Sequence, residues 1–134
     1  MVEFHINRRS GIPAYVQLVL QVKQALRLGD LQTGDQLPTA KEVVGAVTVN
    51  PNTVLKAYRE LENEGLVEAR AGLGTFVTQS LAKPGMAERD ALQSTLADWA
   101  RQAAAAGLDR PDLEALVAAA LDNEFGEEMG GNHE

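Results

Sequence analysis

The sequence predicts a mainly α fold with one small β-hairpin. An N-terminal unit over residues 1–79 holds three helices and the hairpin, and a tail over residues 80–134 holds two more helices. Three observations predict this. Apolar residues recur at helical spacing in separated windows. Capping residues, prolines and glycines bracket those windows where helices start and stop. Charge divides unevenly: residues 1–79 carry eight Lys/Arg and eight Asp/Glu, residues 80–134 four and eleven, so the tail holds the whole net charge of −7.

Residues 1–11 read as irregular or extended, ending in Arg8-Arg9-Ser10-Gly11. A first helix runs from about Pro13 to Leu28. Proline suits a first helical turn, and Tyr15, Leu18, Val19, Val22 and Leu26 share one face. Gly29 stops it, and the segment to Pro38 reads as a polar connection. Thr39 with Glu42 three residues on is a capping box for a second helix to about Val47. Thr48 and Val49 make a tight turn. Asn50 caps a third helix with Pro51 in its first position, and Gly65 ends it. Residues 66–70 and 75–78 read as two strands around the turn Ala71 to Gly74.

Lys83-Pro84-Gly85 breaks the chain. Helices follow at about 86–106 and 110–125, separated by Gly107, Asp109 and Pro111. Leu92, Leu96, Trp99 and Ala103 form a stripe on the first. Leu113, Leu116, Val117, Ala120, Leu121 and Phe125 form a cleaner one on the second. The glycine-rich end, Gly126 to Glu134, is expected to fray.

Composition narrows the function classes. The chain has 134 residues, 45% hydrophobic and 23% charged, as for a soluble domain plus an appendage. With no cysteine there is no disulfide frame or thiolate metal site. His5 and His133 are isolated, so no metal site is expected, and no cofactor motif or catalytic constellation occurs. Glu3, His5, Arg8 and Arg9 interrupt any signal-like run, and no segment is long enough to span a bilayer. The expected location is the cytoplasm, with no membrane partner.

The third helix has two opposite faces. At about 100° per residue, Asn52, Lys56, Arg59 and Asn63 fall within roughly 60° of one another. Val54, Ala57, Tyr58 and Leu61 point the other way, and Glu60, Glu62 and Glu64 lie outside the polar row. Amide and cationic side chains on one helix face suit base edges and phosphates in a major groove. The helix start, with Asn50, Asn52 and Thr53, is where a helix-turn-helix reads bases. A short helix before it and a glycine-turned hairpin after it complete a winged helix-turn-helix. In that arrangement Thr39, Lys41, Arg70, Gly72, Gly74 and Thr75 are candidate backbone anchors.

These residues resemble the DNA-binding domain of the GntR family of transcription regulators. The resemblance runs through Leu37-Pro38-Thr39-Ala40-Lys41-Glu42-Val43, Val49-Asn50-Pro51-Asn52-Thr53-Val54, Tyr58-Arg59-Glu60-Leu61-Glu62, Gly65-Leu66-Val67-Glu68 and Gly72-Leu73-Gly74-Thr75-Phe76-Val77. Pro13-Ala14-Tyr15-Val16-Gln17-Leu18 looks like that family's first helix, and the match covers about residues 4–79. The Asn-Pro-Asn-Thr-Val string and the short tail resemble the YtrA-like subfamily. That resemblance implies two dimerising C-terminal helices and a repressor of a nearby operon, often one for an ABC transporter. There are departures. Lys41 stands where the family has arginine, losing the bidentate fork. Gly45 interrupts the second helix at a cost of about 1 kcal/mol. Ala71 and Leu73 occupy wing positions where basic residues are common.

The tail's stripes need a partner, and a two-fold dimer would set two reading helices on a pseudo-palindromic operator. The expected dimer residues are Leu92, Leu96, Trp99, Leu113, Leu116, Val117, Leu121 and Phe125. The carboxylates Asp109, Asp112, Glu114, Asp122, Glu124, Glu127 and Glu128 read as a solvated face. The tail reads as too small for a ligand-sized pocket, leaving a groove between protomers or beside Trp99. The expected partners are double-stranded DNA, a second copy of the chain, and an effector the sequence does not identify. The rival reading is a winged-helix module that binds protein and never touches DNA.

Overall fold

The computed structural model describes residues 2–83 and 86–126. Its elements are α1 (Ala14–Leu28), α2 (Ala40–Val47), α3 (Pro51–Asn63), β1 (Val67–Arg70), β2 (Gly74–Val77), α4 (Met86–Ala105) and α5 (Arg110–Phe125). The chain divides into two compact units, Met1–Pro84 and Gly85–Glu134. The fraying expected beyond Gly126, and the break at Pro84-Gly85, lie outside the described residues.

In the first unit, α1 supplies Leu18, Val22 and Leu26, α2 supplies Val43, and α3 supplies Val54, Ala57 and Leu61 to one core. Leu31, Leu37, Leu66, Val67 and Val77 close it. The apolar faces of three helices and the inner face of a hairpin thus bury against each other. Before α1, Val2, Phe4 and Ile6 alternate inward onto the core, and the chain then turns at residues 8–10. Two glutamines one turn apart on α1 hold that segment. Gln21 exchanges hydrogen bonds with the backbone of His5, and Gln17 with that of Asn7.

Helices α1, α3 and α4 end in the same way. The N–H of Gly29, Gly65 or Gly107 turns back to the carbonyl three residues earlier, and the next N–H to the one five earlier. Pro13 is the N-cap of α1 and not its first helical residue, since its ψ of 144° is extended. β1 starts one residue later than expected and β2 is shifted one residue earlier at the same length, and they pair antiparallel with Val67 opposite Val77 and Arg70 opposite Gly74.

The connection from Gly29 to Pro38 is more than a loop. Val77 N–H donates to Asp35, Leu37 N–H to Thr75, and Gly34 N–H to Val77, and Gln36 bridges Phe76. Residues 34–37 therefore cover the free edge of β2 as a third, strand-like run. Polar side chains hid this, because an edge segment exposed on one side needs no apolar run.

In the second unit, Asp109 and Asp112 form a reciprocal capping box at the start of α5. The backbone N–H of Asp109 holds the Asp112 carboxyl below its ordinary range. Ala103 is buried, but no residue of α5 is. Leu92, Leu96, Leu116, Val117, Leu121 and Phe125 stay exposed. The stripe expected on α5 is broader than one face, because Ala115, Ala118, Ala119 and Ala120 fill the positions between the larger residues. An open apolar groove of about 700 Å³ runs between the two helices past Leu96, Trp99, Leu113 and Val117.

Candidate nucleic-acid interface

The site is built on α3. Asn50 caps the helix: its side-chain oxygen accepts from Asn52 N–H at 2.8 Å, and its backbone oxygen from Thr53 N–H at 2.9 Å. The cap engages one lone pair of the side-chain oxygen and fixes its orientation towards the helix. Asn52, two residues on, is exposed. Thr53 is half-buried beside it.

Asn52, Lys56, Arg59 and Asn63 are all exposed, opposite buried Val54, Ala57, Tyr58 and Leu61. The ammonium of Lys56 lies 4.1 Å from the centre of the Tyr15 ring, so α1 steers that cation. Two of the helix's carboxylates are engaged away from the row. Glu64 pairs with Lys23 at 2.7 Å, and Glu62 accepts from Ala69 N–H.

α2 meets α3 through a turn in which Thr48 adopts a left-handed conformation, φ 54°. A β-branched residue there is strained. Arg8 braces it, donating to the carbonyls of Val47 at 3.2 Å and Thr48 at 2.6 Å. Sequence reasoning missed this role. The Arg8-Arg9 pair was visible, but its reach across 40 residues was not. Behind the turn, the buried Tyr58 hydroxyl donates to Pro38 C=O at 2.6 Å. Burial, and to a lesser degree the Glu42 carboxylate, push that phenol well above its ordinary range.

Thr39 and Glu42 form the expected reciprocal box at 2.8 and 3.1 Å, with Lys41 exposed in the first turn of α2. In the hairpin, Arg70 is shared. Its Nε donates to Glu68 at 2.7 Å, and its guanidinium lies 4.6 Å from the Phe76 ring centre. Gly72 and Gly74 both have positive φ, and a Cβ on Gly74 would also collide with Gln36. Gln36 Nε2 donates to Leu73 C=O at 3.0 Å and pins the tip of the hairpin. Thr75 is half-buried within β2.

The structure thus gathers Asn50, Asn52, Thr53, Lys56 and Arg59 on one helix, with Thr39 and Lys41 at the start of α2. Arg70, Gly72, Gly74 and Thr75 belong to the hairpin. The expected dimer residues all lie in the second unit. Among the described residues no cluster of His, Asp or Glu is placed to hold a metal ion, and no helix is long and apolar enough to cross a membrane.

Comparison with known proteins gives this geometry its relatives. Residues 14–77 match the model of bacterial regulatory proteins of the gntR family. The chain is 41% identical over 75 residues to the HTH-type transcriptional repressor YtrA of Bacillus subtilis, covering 56% of this chain and 58% of that protein. The chain therefore spans less than two thirds of the length of this relative. A solved structure, a transcriptional antiterminator from Listeria monocytogenes, is similar over 98% of this chain and 96% of its own, with TM-score 0.54 and 27% identity. The DNA-binding domain of AraR, solved in complex with operator ORX1, shares the fold over 58% of this chain and 99% of its own, with TM-score 0.53 and 23% identity.

Proposed function

Residues 14–77 are a GntR-family helix-turn-helix domain, and on that premise we propose that the chain is a sequence-specific, YtrA-like DNA-binding transcription regulator. The observation that carries the reading is the exposed row Asn52, Lys56, Arg59 and Asn63, free of carboxylates and set opposite a buried face. Its relatives are transcription regulators and not enzymes.

The roles follow from the chemistry of each group. Asn52 reads a base through both ends of its amide, and Arg59 reaches guanine acceptors or phosphate. Asn50 and Thr53 sit at the helix start, where backbone N–H groups and the dipole favour phosphate. Thr39, Lys41, Arg70, Gly72, Gly74 and Thr75 hold the DNA backbone. AraR was solved with an operator, and this chain takes double-stranded DNA in the same sense.

Two copies act together. Among its described residues the second unit leaves Leu92, Leu96, Leu116, Val117, Leu121 and Phe125 exposed and buries only Ala103. A second copy covering Trp99, Leu113 and their neighbours would bury them, and would place two reading helices on a pseudo-palindromic site. Repression of a nearby operon, released by a signal, completes the proposal.

The test is a gel shift with the chain's own upstream region against random duplex, across a salt series. Affinity should fall as salt rises, since phosphate contacts release counterions. Asn52→Ala should lose about 1–3 kcal/mol on the preferred duplex and little on random duplex. Equal binding to both duplexes by the native chain would sink the proposal, and no salt-dependent shift at all would favour a protein-binding module.

A further inference from the structure

Resting on the DNA-reading role of α3, we infer that Leu55 is a specificity-determining residue that contacts the C5-methyl group of a thymine in each half-site. Leu55 is 48% exposed, a large apolar side chain left in water. It belongs neither to the buried core of the first unit nor to the partly buried residues packed on it. Exposure alone is ordinary for a lone surface leucine, and Ile12, Leu20 and Leu73 share it. Its position does point to a ligand. At about 100° per residue, Leu55 lies roughly 60° from Asn52 and 40° from Arg59 around the helix axis. It borders the polar row on the side of Tyr58, whose hydroxyl reaches back to Pro38 just before α2. It is also the fifth residue of α3, within the half of a recognition helix that approaches base edges.

The major-groove edge of B-DNA presents one apolar group, the thymine methyl. Asn52 beside Leu55 suits adenine, whose N6 and N7 match an amide. A leucine flanking an adenine-reading amide fits a half-site step that carries thymine next to adenine. Leucine offers no hydrogen bond, so its discrimination comes from excluding water around one methyl group. Burying one such group corresponds to about fourfold in affinity.

The experiment uses the full chain. Duplexes bound from a random library give the preferred half-site. Each thymine in it is then replaced in turn by deoxyuridine, which removes only the methyl group, and binding is measured by fluorescence anisotropy. For the native chain, one thymine per half-site should lose about fourfold on replacement. Leu55→Ala should bind the original duplex about as weakly as the native chain binds the demethylated one, and should be indifferent to the replacement. Leu55→Met, apolar and of similar volume, should keep the sensitivity. Far-UV circular dichroism and melting confirm that each variant folds. The inference is overturned if no thymine is sensitive, or if Leu55→Ala keeps the same sensitivity. A library that returns no preferred sequence overturns the DNA-reading role itself, and this inference with it.

Discussion

Single residues set how firmly the reading helix is held. Asn50 closes the N-terminus of α3 with its side-chain oxygen, and under the proposed function base-reading falls to Asn52, two residues on. Tyr58 couples α3 to the segment before α2, and its burial has a consequence for pH. In the unfolded chain a tyrosine ionises near pH 10. In the fold the Tyr58 phenol is pushed well above that, first by burial and then by Glu42. Above pH 10 the unfolded state binds fewer protons than the folded one, so stability falls as pH rises, by about 1.4 kcal/mol per pH unit. Tyr58→Phe should flatten that slope in urea unfolding between pH 9 and 11. It should also lower stability at neutral pH by about 1–3 kcal/mol, because Pro38 C=O loses its partner. At Gly45 the opposite holds. It sits inside α2 with an ordinary φ, and an added Cβ meets open space. Gly45→Ala should therefore stabilise the chain by about 1 kcal/mol, raising the melting temperature of the first unit by about 4–8 °C.

Among the elements, the hairpin changes character most between sequence and structure. Residues 34–37 cover its outer strand, and Gln36 fastens its tip. That makes the wing stiff, but not strongly charged. Arg70 shares its charge with Glu68, and Leu73 at the tip is 66% exposed. Under the proposed function a wing of this kind would add little phosphate attraction, leaving most of the binding to the helix. Leu73→Arg should steepen the dependence of log affinity on log salt by about 0.9 for each new phosphate contact. It should tighten binding to preferred and random duplex alike. An unchanged salt slope would mean that the tip does not approach DNA.

For the molecule as a whole, the division of charge matches the division of work. The first unit, with nine Lys/Arg and eight Asp/Glu, carries the amide and cationic row, and the acidic second unit carries most of the exposed large apolar side chains. Under the proposed function, like charge would keep the second unit off phosphate and its exposed leucines would be covered by a second copy. Val117→Glu combined with Leu121→Glu puts charge into the groove wall. Sedimentation equilibrium should then report a monomer, where the proposed function expects a dimer of the native chain. Affinity for a two-half-site duplex should fall about 100-fold or more, as linked binding is lost. Melting of the first unit should be unchanged, because its core lies wholly within residues 1–84. A native chain that is monomeric at the same concentration would remove this reading.

Local chemistry was legible in the sequence by itself. The five helices, the hairpin, the capping boxes at Thr39 and Asp109, and the two-faced character of α3 all follow from residue type and spacing. Backbone geometry imposes those patterns within a few residues of each other. Non-local pairings were not legible. Arg8 braces the turn at Thr48 from 40 residues away, the 34–37 segment joins the hairpin edge, and Lys56 is drawn over Tyr15. Each is a polar or charged contact on a surface, where no hydrophobic period marks a residue as facing inward. Packing brings such groups within reach, and only the packed chain decides which of them meet.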